Sequence, residues 1–430
     1  MRRHADVLVV GAGLFGSAAA KYLARSGVRT LVIGPAEPAS TAGASLAQFG
    51  AWQDESRIAR CLGWDRFWGA VDTRSTARYR GIEAESGVGF FRECGALALI
   101  ARSLGKRTEA MLTAGDQAGV MAERMPAAAL RRAFPALHMP PVDGGVEGLW
   151  EPTSAYLNPR QLVHAQLRLA TASGAELLRG TVRSMHRDRP TGPWRAEVDG
   201  TEAGGTVTVQ APRVLLAAGA LVKHSNALPA PSALDLQIFT EPNLLFEVAG
   251  EQLARHADLP TVVTIDPADT GNDNMSAYLM PPIRYPDGKW YLRIGPAMQP
   301  LVHELRTPDA MCAWYAEQRI TTEQSQFLAR MMRLLLPGLE PVSVREACCV
   351  VDKTRTRYPY IGPWQDTTLT VAVGGNGHGA RGSDEIGRLA STVVLNQPWD
   401  FPLPQAVLSP ANATTPTCSP EYLQPPFGLC

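Results

Sequence analysis

The chain has 430 residues, enough for two or three domains, and its formal net charge is zero. This balance gives no reason to expect nucleic acid or an anionic membrane surface as a partner. No window is long and apolar enough to span a bilayer. The seven cysteines are scattered without a C-x-x-C pair, and the N-terminus carries no signal-peptide core. We therefore expect a cytoplasmic protein without a metal site.

The first predicted strand, Val7–Val10, ends in glycines at the spacing GxGxxG. These glycines are Gly11, Gly13 and Gly16. A helix of small residues over 17–26 and a second strand, Thr30–Ile33, follow. Such a context is typical of a dinucleotide site, where glycines let the backbone approach a pyrophosphate at a helix N-terminus.

The second strand departs from the usual dinucleotide pattern at its end. Gly34 stands where an acid commonly binds the adenosine ribose. The nearest acid, Glu37, follows three residues later in a predicted loop. We expect either the backbone or Glu37 to supply the ribose contact.

The next predicted helix begins near residue 56. It would place Arg57 and Arg60 on one helix face, because they lie three residues apart. A strand pair with a turn at 93–95 and two helices over 103–134 follow. Asn158 and Pro159 then have the pattern of a helix cap and first turn.

The stretch 234–300 alternates apolar positions with turn signals, and the Pro-Asp-Gly turn at 286–288 predicts an antiparallel hairpin. Near the C-terminus a buried strand runs into G-G-N-G-H-G-A-R-G at 374–382, and a helix follows. Two anion-facing helix N-termini in one sheet suit FAD. Its pyrophosphate would lie at 11–16 and the N1–C2=O edge of its isoalloxazine at 377–382.

The predicted fold class is α/β, with α+β character overall. A Rossmann-like FAD-binding domain is interleaved with an antiparallel-sheet substrate domain. The FAD-binding domain is predicted to comprise 1–88, 149–224 and 344–400, and the substrate domain 89–148 and 225–343. Residues 401–430 are rich in proline and are predicted to form an irregular tail.

Four stretches together resemble a known family. They are D-V-L-V-V-G-A-G-L-F-G-S-A-A-A at 6–20, D-E-S-R-I-A-R at 54–60, A-C-C-V-V-D-K-T-R-T-R-Y-P-Y-I-G at 347–362 and G-N-G-H-G-A-R at 375–381. The chain resembles the D-amino-acid oxidase superfamily of FAD enzymes. Within it, the chain is similar to the monomeric sarcosine oxidase and N-methyl amino acid oxidase branch.

The resemblance implies roles for three arginines. Arg60, the second arginine of R-x-x-R, would hold the substrate carboxylate, and Arg57 would lie against the flavin. Arg381 would pair with the same carboxylate at a position where the family often has lysine. A guanidinium suits that task because it can donate two parallel hydrogen bonds.

The resemblance also implies a covalent bond from cysteine to the flavin 8α carbon. Cys349 stands at the matching position, with Cys348 as the alternative; neighbouring strand residues point to opposite faces, so only one can reach the ring. Arg293 replaces the family lysine that promotes oxygen reduction, and Gln53 replaces an active-site histidine. A cation at 293 would still stabilise developing negative charge.

Tyr278 is expected either to border the substrate pocket or to pack in the core, and His378 either to brace the glycine turn or to touch the flavin. The other cofactor contacts implied by the resemblance are Leu14, Phe15, Ser45, Val182, Ala218, Gly219, Gly375, Gly377 and Gly379.

The implied activity is oxidation of a secondary or N-methyl amino acid. A hydride passes to flavin N5, an imine leaves, and molecular oxygen regenerates the cofactor with formation of hydrogen peroxide. The partners are then a small-molecule amine or amino acid and oxygen. Two alternatives remain: a dehydrogenase that uses another electron acceptor, and a non-catalytic flavin-binding subunit of a larger complex.

Overall fold

A computed structural model describes residues 2–413, apart from 64, 143, 201–203, 226–228, 230–232, 266–275 and 298–300. Its helices are α1 (Leu14–Arg25), α2 (Arg66–Ser86), α3 (Gly105–Gln117), α4 (Ala127–Ala133), α5 (Pro159–Ala172), α6 (Leu221–His224), α7 (Gly250–His256), α8 (Pro308–Glu317), α9 (Thr322–Leu335) and α10 (Ser383–Val394). Its strands are β1 (Arg2–His4), β2 (Val7–Val10), β3 (Thr30–Ile33), β4 (Arg57–Ala59), β5 (Phe91–Glu93), β6 (Ala96–Ala101), β7 (Glu123–Met125), β8 (Val146–Glu151), β9 (Ala155–Leu157), β10 (Glu176–Leu178), β11 (Thr181–Arg187), β12 (Trp194–Asp199), β13 (Val207–Ala211), β14 (Arg213–Leu216), β15 (Leu236–Val248), β16 (Thr261–Ile265), β17 (Ala277–Arg284), β18 (Trp290–Pro296), β19 (Ser343–Thr354), β20 (Tyr360–Trp364) and β21 (Asp366–Val373).

The first sheet has the order β10-β3-β2-β14-β21-β20 and is parallel except for the pairing of β20 with β21. Strands β2 and β3 are fully buried, as expected for strands covered by helices on both faces. Helix α1 packs against both α5 and α10. The strands from the two ends of the chain thus meet in one sheet, as the sequence predicts, and both glycine turns lie at its carboxyl edge.

The second large sheet has the order β19-β15-β18-β17-β16-β6-β8-β7 and is antiparallel except for the pairing of β16 with β6. The predicted hairpin joins β17 to β18, and Gly288 has the positive φ of +82° that its turn requires. Strand β15 pairs with β19 over most of its length and is buried throughout. A four-stranded sheet, β1-β13-β12-β11, and a three-stranded sheet, β4-β9-β5, complete the architecture.

The predicted helix near residue 56 is wrong. Residues Arg57–Ala59 form β4, antiparallel to β9, and the helix begins only at Arg66. Asp65 caps that helix, accepting hydrogen bonds from Phe67 N at 2.9 Å and Trp68 N at 3.1 Å. Arg57 and Arg60 therefore do not share a helix face. Strand β9, which lies far along the chain, supplies the main-chain hydrogen-bond partners of Arg57–Ala59. The spacing of two arginines does not predict such a long-range pairing.

The predicted strand pair with a turn at 93–95 is also wrong as a hairpin. Strand β5 pairs with β9, whereas β6 pairs with β8 and β16 in the eight-stranded sheet. The two predicted helices over 103–134 are present as α3 and α4, with the short strand β7 between them. The domain boundaries stay a prediction. Residues 401–413 contain one short 3-10 helix, and the rest of the predicted tail lies outside the described residues.

Candidate active site

One cavity runs from the carboxyl edge of the parallel sheet to the inner face of the eight-stranded sheet. Sixteen predicted site residues line it: Gly11, Gly13, Leu14, Phe15, Arg57, Val182, Ala218, Gly219, Tyr278, Arg293, Cys349, Gly375, Gly377, His378, Gly379 and Arg381. Gly16, Ser45 and Arg60 are not among its lining residues. The fold therefore brings together most of the residues that the sequence singled out from both ends of the chain.

The N-terminal glycine turn has the geometry that its spacing predicts. Gly11 has φ +110°, and its N–H donates to the Ile33 carbonyl oxygen at 2.8 Å. A Cβ on Gly11 would overlap the Ala217 carbonyl, and one on Gly16 would overlap the Gly11 carbonyl. Gly16 thus permits close packing of α1 rather than contact with a ligand. The N-terminus of α1 is open to a pyrophosphate, as this turn type requires.

The missing ribose acid at Gly34 has a steric explanation. A Cβ at this position would lie 2.6 Å from the Cβ of Ala12. Glu37 does not line the cavity, and both its carboxylate oxygens accept from Arg160, at 2.6 and 2.7 Å. Of the two predicted sources of a ribose contact, the backbone at Gly34 is the one that borders the cavity.

The C-terminal glycine turn contacts the N-terminal one. A Cβ on Gly379 would lie 2.9 Å from the Phe15 ring and 2.8 Å from the Gly375 Cα. The N–H groups of Gly374 and Gly375 donate to Asp352 at 2.8 and 2.9 Å. Burial raises the pKa of this carboxyl, and these two donors oppose that rise.

The helix that follows this turn does not offer a free anion site. Its first turn contains Asp384 and Glu385, both fully buried. Asp384 accepts from Lys21 at 2.6 Å and from Arg78 at 2.6 Å. The protein's own carboxylates therefore meet the positive end of the helix dipole. Residues of the preceding glycine turn border the cavity, whereas the first turn of α10 does not. That a cofactor anion lies at 377–382 stays a prediction.

Cys349 lies in the cavity, whereas Cys348 does not line it. The two residues alternate along β19, as a strand requires. The Cys349 sulfur lies 3.4 Å from Arg57 Nη2. Burial raises the pKa of the thiol to about 11, although the nearby Arg57 guanidinium opposes that rise.

Arg293 is held by protein acceptors on several sides. Its Nε donates to Asn243 at 3.0 Å, and its Nη1 donates to the Ser56 carbonyl at 2.8 Å. The same Nη1 lies 2.7 Å from Asp54, and Nη2 donates to the Tyr278 hydroxyl at 2.9 Å. Arg293 is 1% exposed. Its guanidinium is thus a fixed buried cation rather than a mobile side chain.

Two carboxylates balance the cations on this side of the cavity. Asp54 bridges Arg57 Nη1 at 2.5 Å and Arg293 Nη1 at 2.7 Å. Burial would raise the pKa of Asp54, but the guanidiniums of Arg293 and Arg57 outweigh it and hold that pKa well below its usual range. Glu241 accepts from Tyr278 at 2.6 Å and lines the cavity. Tyr278 therefore borders the cavity through a polar network and also packs in a hydrophobic core cluster.

Arg381 and Arg60 lie in different places. Arg381 lines the cavity, donates through Nε to Asp72 at 2.6 Å, and its Nη2 lies 2.7 Å from His378 Nδ1. Arg60 is buried behind this group, close enough to Asp72 and His378 to influence the pKa of both. His378 therefore braces the turn and also borders the cavity.

Two predicted positions have structural roles. Gln53 closes the turn that contains Gly50, accepting from Gly50 N at 3.1 Å and donating to the Gln48 carbonyl at 2.6 Å. Ser45 and Gln48 form a capping box on the short 3-10 helix Leu46–Gln48. Neither Ser45 nor Gln53 lines the cavity. Where the branch has an active-site histidine, this chain uses glutamine to hold a loop.

Sequence reasoning missed several acids. In the sequence, Asp54 stands out only as part of the motif D-E-S-R-I-A-R, and no motif marks Glu241 or Asp72. The signal for Glu241 is an acid inside the long strand β15, where every residue is buried. Asp72 shares the buried stripe of α2 with Trp68. Within the described ranges no cluster of histidine, cysteine and acidic side chains could hold a metal ion, and no helix is long and apolar enough to cross a membrane.

The FAD dependent oxidoreductase family, abbreviated DAO, has a model that matches residues 6–392. The chain belongs to this family. Its members use FAD, and the residues present fit that cofactor: one cavity joins a glycine turn open to a pyrophosphate, a cysteine thiol and a second glycine turn. The substrate of such an FAD oxidoreductase of CH–NH donors is a small molecule.

Curated relatives and solved structures agree with this assignment. Monomeric sarcosine oxidase of Streptomyces avermitilis is 25% identical over 93% of this chain and 95% of its own length. N-methyl-L-tryptophan oxidase of Yersinia pestis is 23% identical over 91% and 95%. The structure of NikD, described as an unusual amino acid oxidase essential for nikkomycin biosynthesis, has a TM-score of 0.71 at 21% identity and covers 97% of this chain and 100% of its own. The structural likeness shows that this DAO family member has the same fold.

Proposed function

We propose that the chain is an FAD-dependent oxidase of a secondary or N-methyl amino acid. The observation that carries the proposal is the single cavity along which the N-terminal glycine turn, Cys349 and Arg381 lie. A dinucleotide held along it would end beside a buried arginine, and arginine binds carboxylates through paired hydrogen bonds. The names of two curated relatives, oxidases of sarcosine and of N-methyl-L-tryptophan, support the same substrate class.

FAD, when bound, supplies the acceptor of the substrate's hydride and then the donor of two electrons to oxygen. In this proposal Arg381 holds the substrate carboxylate, which fixes the C–H bond to be broken. The amine binds as its neutral form, so no side-chain base has to remove a proton. The imine product leaves and is hydrolysed by water. Arg60 does not line the cavity and acts on this site through its charge on Asp72 and His378, and Tyr278 borders the substrate.

We also propose that the cofactor is bonded covalently through Cys349. The thiol lines the cavity beside Arg57, whereas Cys348 does not line it. Forming this bond would break a C–H bond of the 8α methyl group, and the two electrons released would pass to the flavin and then to molecular oxygen. The guanidinium 3.4 Å from the sulfur favours the thiolate that the step needs, against the rise in the thiol pKa that burial causes. Cys349→Ser should then release FAD on acid precipitation, and the matched variant Cys348→Ser should retain it.

A second candidate differs only in the electron acceptor. Arg293 is fully engaged with protein acceptors, and its positive charge is compensated by Asp54 at 2.7 Å. A compensated cation stabilises negative charge on reduced oxygen less than a free lysine would. This favours a dehydrogenase that passes electrons to another carrier. Slow peroxide formation with rapid dye reduction would support this alternative over the oxidase.

Two further points belong to the proposal. We propose a cytoplasmic location, supported by the described cysteines, all of which are free thiols: Cys61, Cys94, Cys312, Cys348 and Cys349. The division into FAD-binding and substrate-binding parts at the boundaries predicted above is likewise proposed. It is supported by the separate parallel and antiparallel sheets.

The test begins with the absorbance spectrum of the purified protein before and after acid precipitation. Yellow colour retained in the pellet is expected for wild type and for Cys348→Ser, but not for Cys349→Ser. Anaerobic addition of a panel of N-methyl and cyclic secondary amino acids should bleach the flavin. Admission of oxygen should restore the colour with one peroxide per substrate. A protein that binds FAD but is bleached by no member of the panel would contradict the proposal and support the alternative of a non-catalytic flavin-binding subunit.

A further inference from the structure

Arg381 is held from behind by the buried face of helix α2. Its Nε donates to Asp72 Oδ2 at 2.6 Å, and Tyr79 donates through its hydroxyl to the Arg381 carbonyl oxygen. Asp72 and Tyr79 are both fully buried. Asp72 does not line the cavity, so it can act on a bound molecule only through Arg381.

The close approach of α2 depends on the residue after Arg381. A Cβ on Gly382 would overlap the Val71 side chain and lie 3.0 Å from Asp72 Oδ1. Within the described residues, Asp72 Oδ1 is buried and has no hydrogen-bond partner. Asp72 is therefore fixed in place, with one oxygen bonded to Arg381 and the other able to carry a proton.

The formal charges of Asp72 and of the three charged groups that act on it cancel. Arg381 and Arg60 are the cations that face it, and Glu151 is the second acid. Glu151 is buried and accepts from Cys61 N at 2.6 Å and Leu62 N at 2.9 Å. With both acids ionised, the four groups sum to zero. An added substrate carboxylate would leave one uncompensated negative charge in a buried site, which is costly.

Of the groups around this cluster, Asp72 is the one suited to take up a proton near neutral pH. Burial raises its pKa to about 7, although Arg381 opposes that rise. Burial, with help from Arg381, lowers the pKa of His378 well below its usual value, so the imidazole stays neutral. Burial raises the pKa of Cys61 to about 12 and that of Tyr79 well above its usual value.

We propose that the binding of a carboxylate at Arg381 is coupled to the uptake of one proton by Asp72. The proposal rests on the proposed function, because it takes a carboxylate as the group that binds Arg381. The proton comes from solvent and is bound at the Asp72 carboxyl, and no covalent bond to the ligand forms or breaks. The ionised Asp72 thus pairs with Arg381 when no carboxylate ligand is bound. When a ligand carboxylate binds Arg381, Asp72 takes up a proton and becomes neutral.

Linkage gives the direction of the pH dependence. A bound anion raises the pKa of a neighbouring acid, so the complex binds more protons than the free protein. Affinity for the carboxylate should therefore be constant well below pH 7 and fall as pH rises above 7. The limiting slope is about tenfold per pH unit, because one proton is taken up per ligand.

The test uses methoxyacetate, the ether isostere of N-methylglycine, which cannot be oxidised to an imine. Its carboxyl stays ionised above about pH 5. The dissociation constant is measured on the holoenzyme from the change in flavin absorbance between pH 5.5 and 9. Calorimetry in two buffers of different ionisation enthalpy counts the protons taken up. For wild type we expect proton uptake that approaches one per ligand near pH 8.

Asp72→Asn should bind with a dissociation constant independent of pH and without proton uptake. The matched control is Asp65→Asn, which removes the carboxyl that caps the same helix and does not contact Arg381; it should keep the wild-type slope. If Asp72→Asn does not fold, infrared spectra of wild type should still show the C=O stretch of a protonated carboxyl appearing when the ligand binds.

A wild-type dissociation constant that is flat from pH 6 to 9 would overturn the inference, as would full proton uptake by Asp72→Asn or absence of binding at every pH. These results are separate from failure of the proposed function. A protein that binds methoxyacetate with proton uptake, but whose flavin no amino acid bleaches, would keep the inference and lose the proposed activity.

Discussion

The buried ion pair between Lys21 and Asp384 connects the two helices that follow the glycine turns. Lys21 lies on α1, directly after the N-terminal turn, and Asp384 lies in the first turn of α10, directly after the C-terminal one. Their atoms are 2.6 Å apart, and the two side chains are 1% and 0% exposed. We expect Asp384→Asn to destabilise the protein by roughly 3–5 kcal/mol, because it leaves a buried cation without its partner.

The pH dependence of the free energy of unfolding gives a second measure of how much Asp384 stabilises the fold. Burial would raise the pKa of Asp384, but Lys21 and Arg78 outweigh it and hold the pKa at about 2. An acid with a folded-state pKa below its unfolded value stabilises the fold above the unfolded value. Ionisation of Asp384 should thus contribute on the order of 2–3 kcal/mol at neutral pH, lost as pH falls from about 4 through 2.

The assay is urea unfolding followed by far-ultraviolet circular dichroism, together with the flavin retained after gel filtration. Asp400→Asn is the matched control. It removes a carboxylate 2.7 Å from Arg388 of the same helix, but this carboxylate is 61% exposed and should contribute no more than about 1 kcal/mol. The reasoning is refuted if Asp384→Asn loses no more stability than Asp400→Asn at pH 7, or if it loses stability but keeps the wild-type dependence on acid.

Three further outcomes are expected. Gly11→Ala should retain little FAD, measured as the ratio of flavin to protein absorbance, because φ is +110° and a Cβ would overlap Ala217. The control Gly27→Ala, where φ is +75° and the surrounding space is open, should retain the cofactor. Equal flavin contents in the two variants would contradict this. Arg293→Lys should lower the free energy of unfolding, measured in urea, by roughly 1–3 kcal/mol, since an ammonium cannot satisfy the acceptors that hold the guanidinium; an unchanged free energy of unfolding would count against the fixed-cation interpretation. Alkylation of Cys349 in FAD-free protein, followed by mass spectrometry, should accelerate about tenfold per pH unit up to about pH 11, and a plateau near pH 9 would argue against a thiol pKa raised by burial.

The cofactor half of the site could be predicted from local sequence. The glycine spacing at 11–16 and the turn at 374–382 each encode a backbone path that few other residues allow, as the φ values of Gly11, Gly374 and Gly377 illustrate. The alternation that separates Cys349 from Cys348 is likewise a local property of a strand. Such features depend on neighbouring residues, so the sequence carries them directly.

The substrate half could not be predicted in the same way. The spacing of Arg57 and Arg60 predicts a shared helix, but β9 supplies the partners that make Arg57–Ala59 a strand. Asp54 bridges Arg57 to Arg293, more than two hundred residues away, and Asp72 bonds to Arg381 across an even longer interval. No local pattern records which buried charges will meet.

By itself the sequence determined the class of fold, the path of the backbone around a dinucleotide and the family resemblance. Each of these follows from short-range periodicity or from residues with restricted φ. Only the tertiary structure decided that Arg381, and not Arg60, borders the cavity, and that buried acids compensate the arginines. The physical reason is that pairing between distant charges depends on burial and geometry created by the packed fold, and neither is a property of a local stretch of chain.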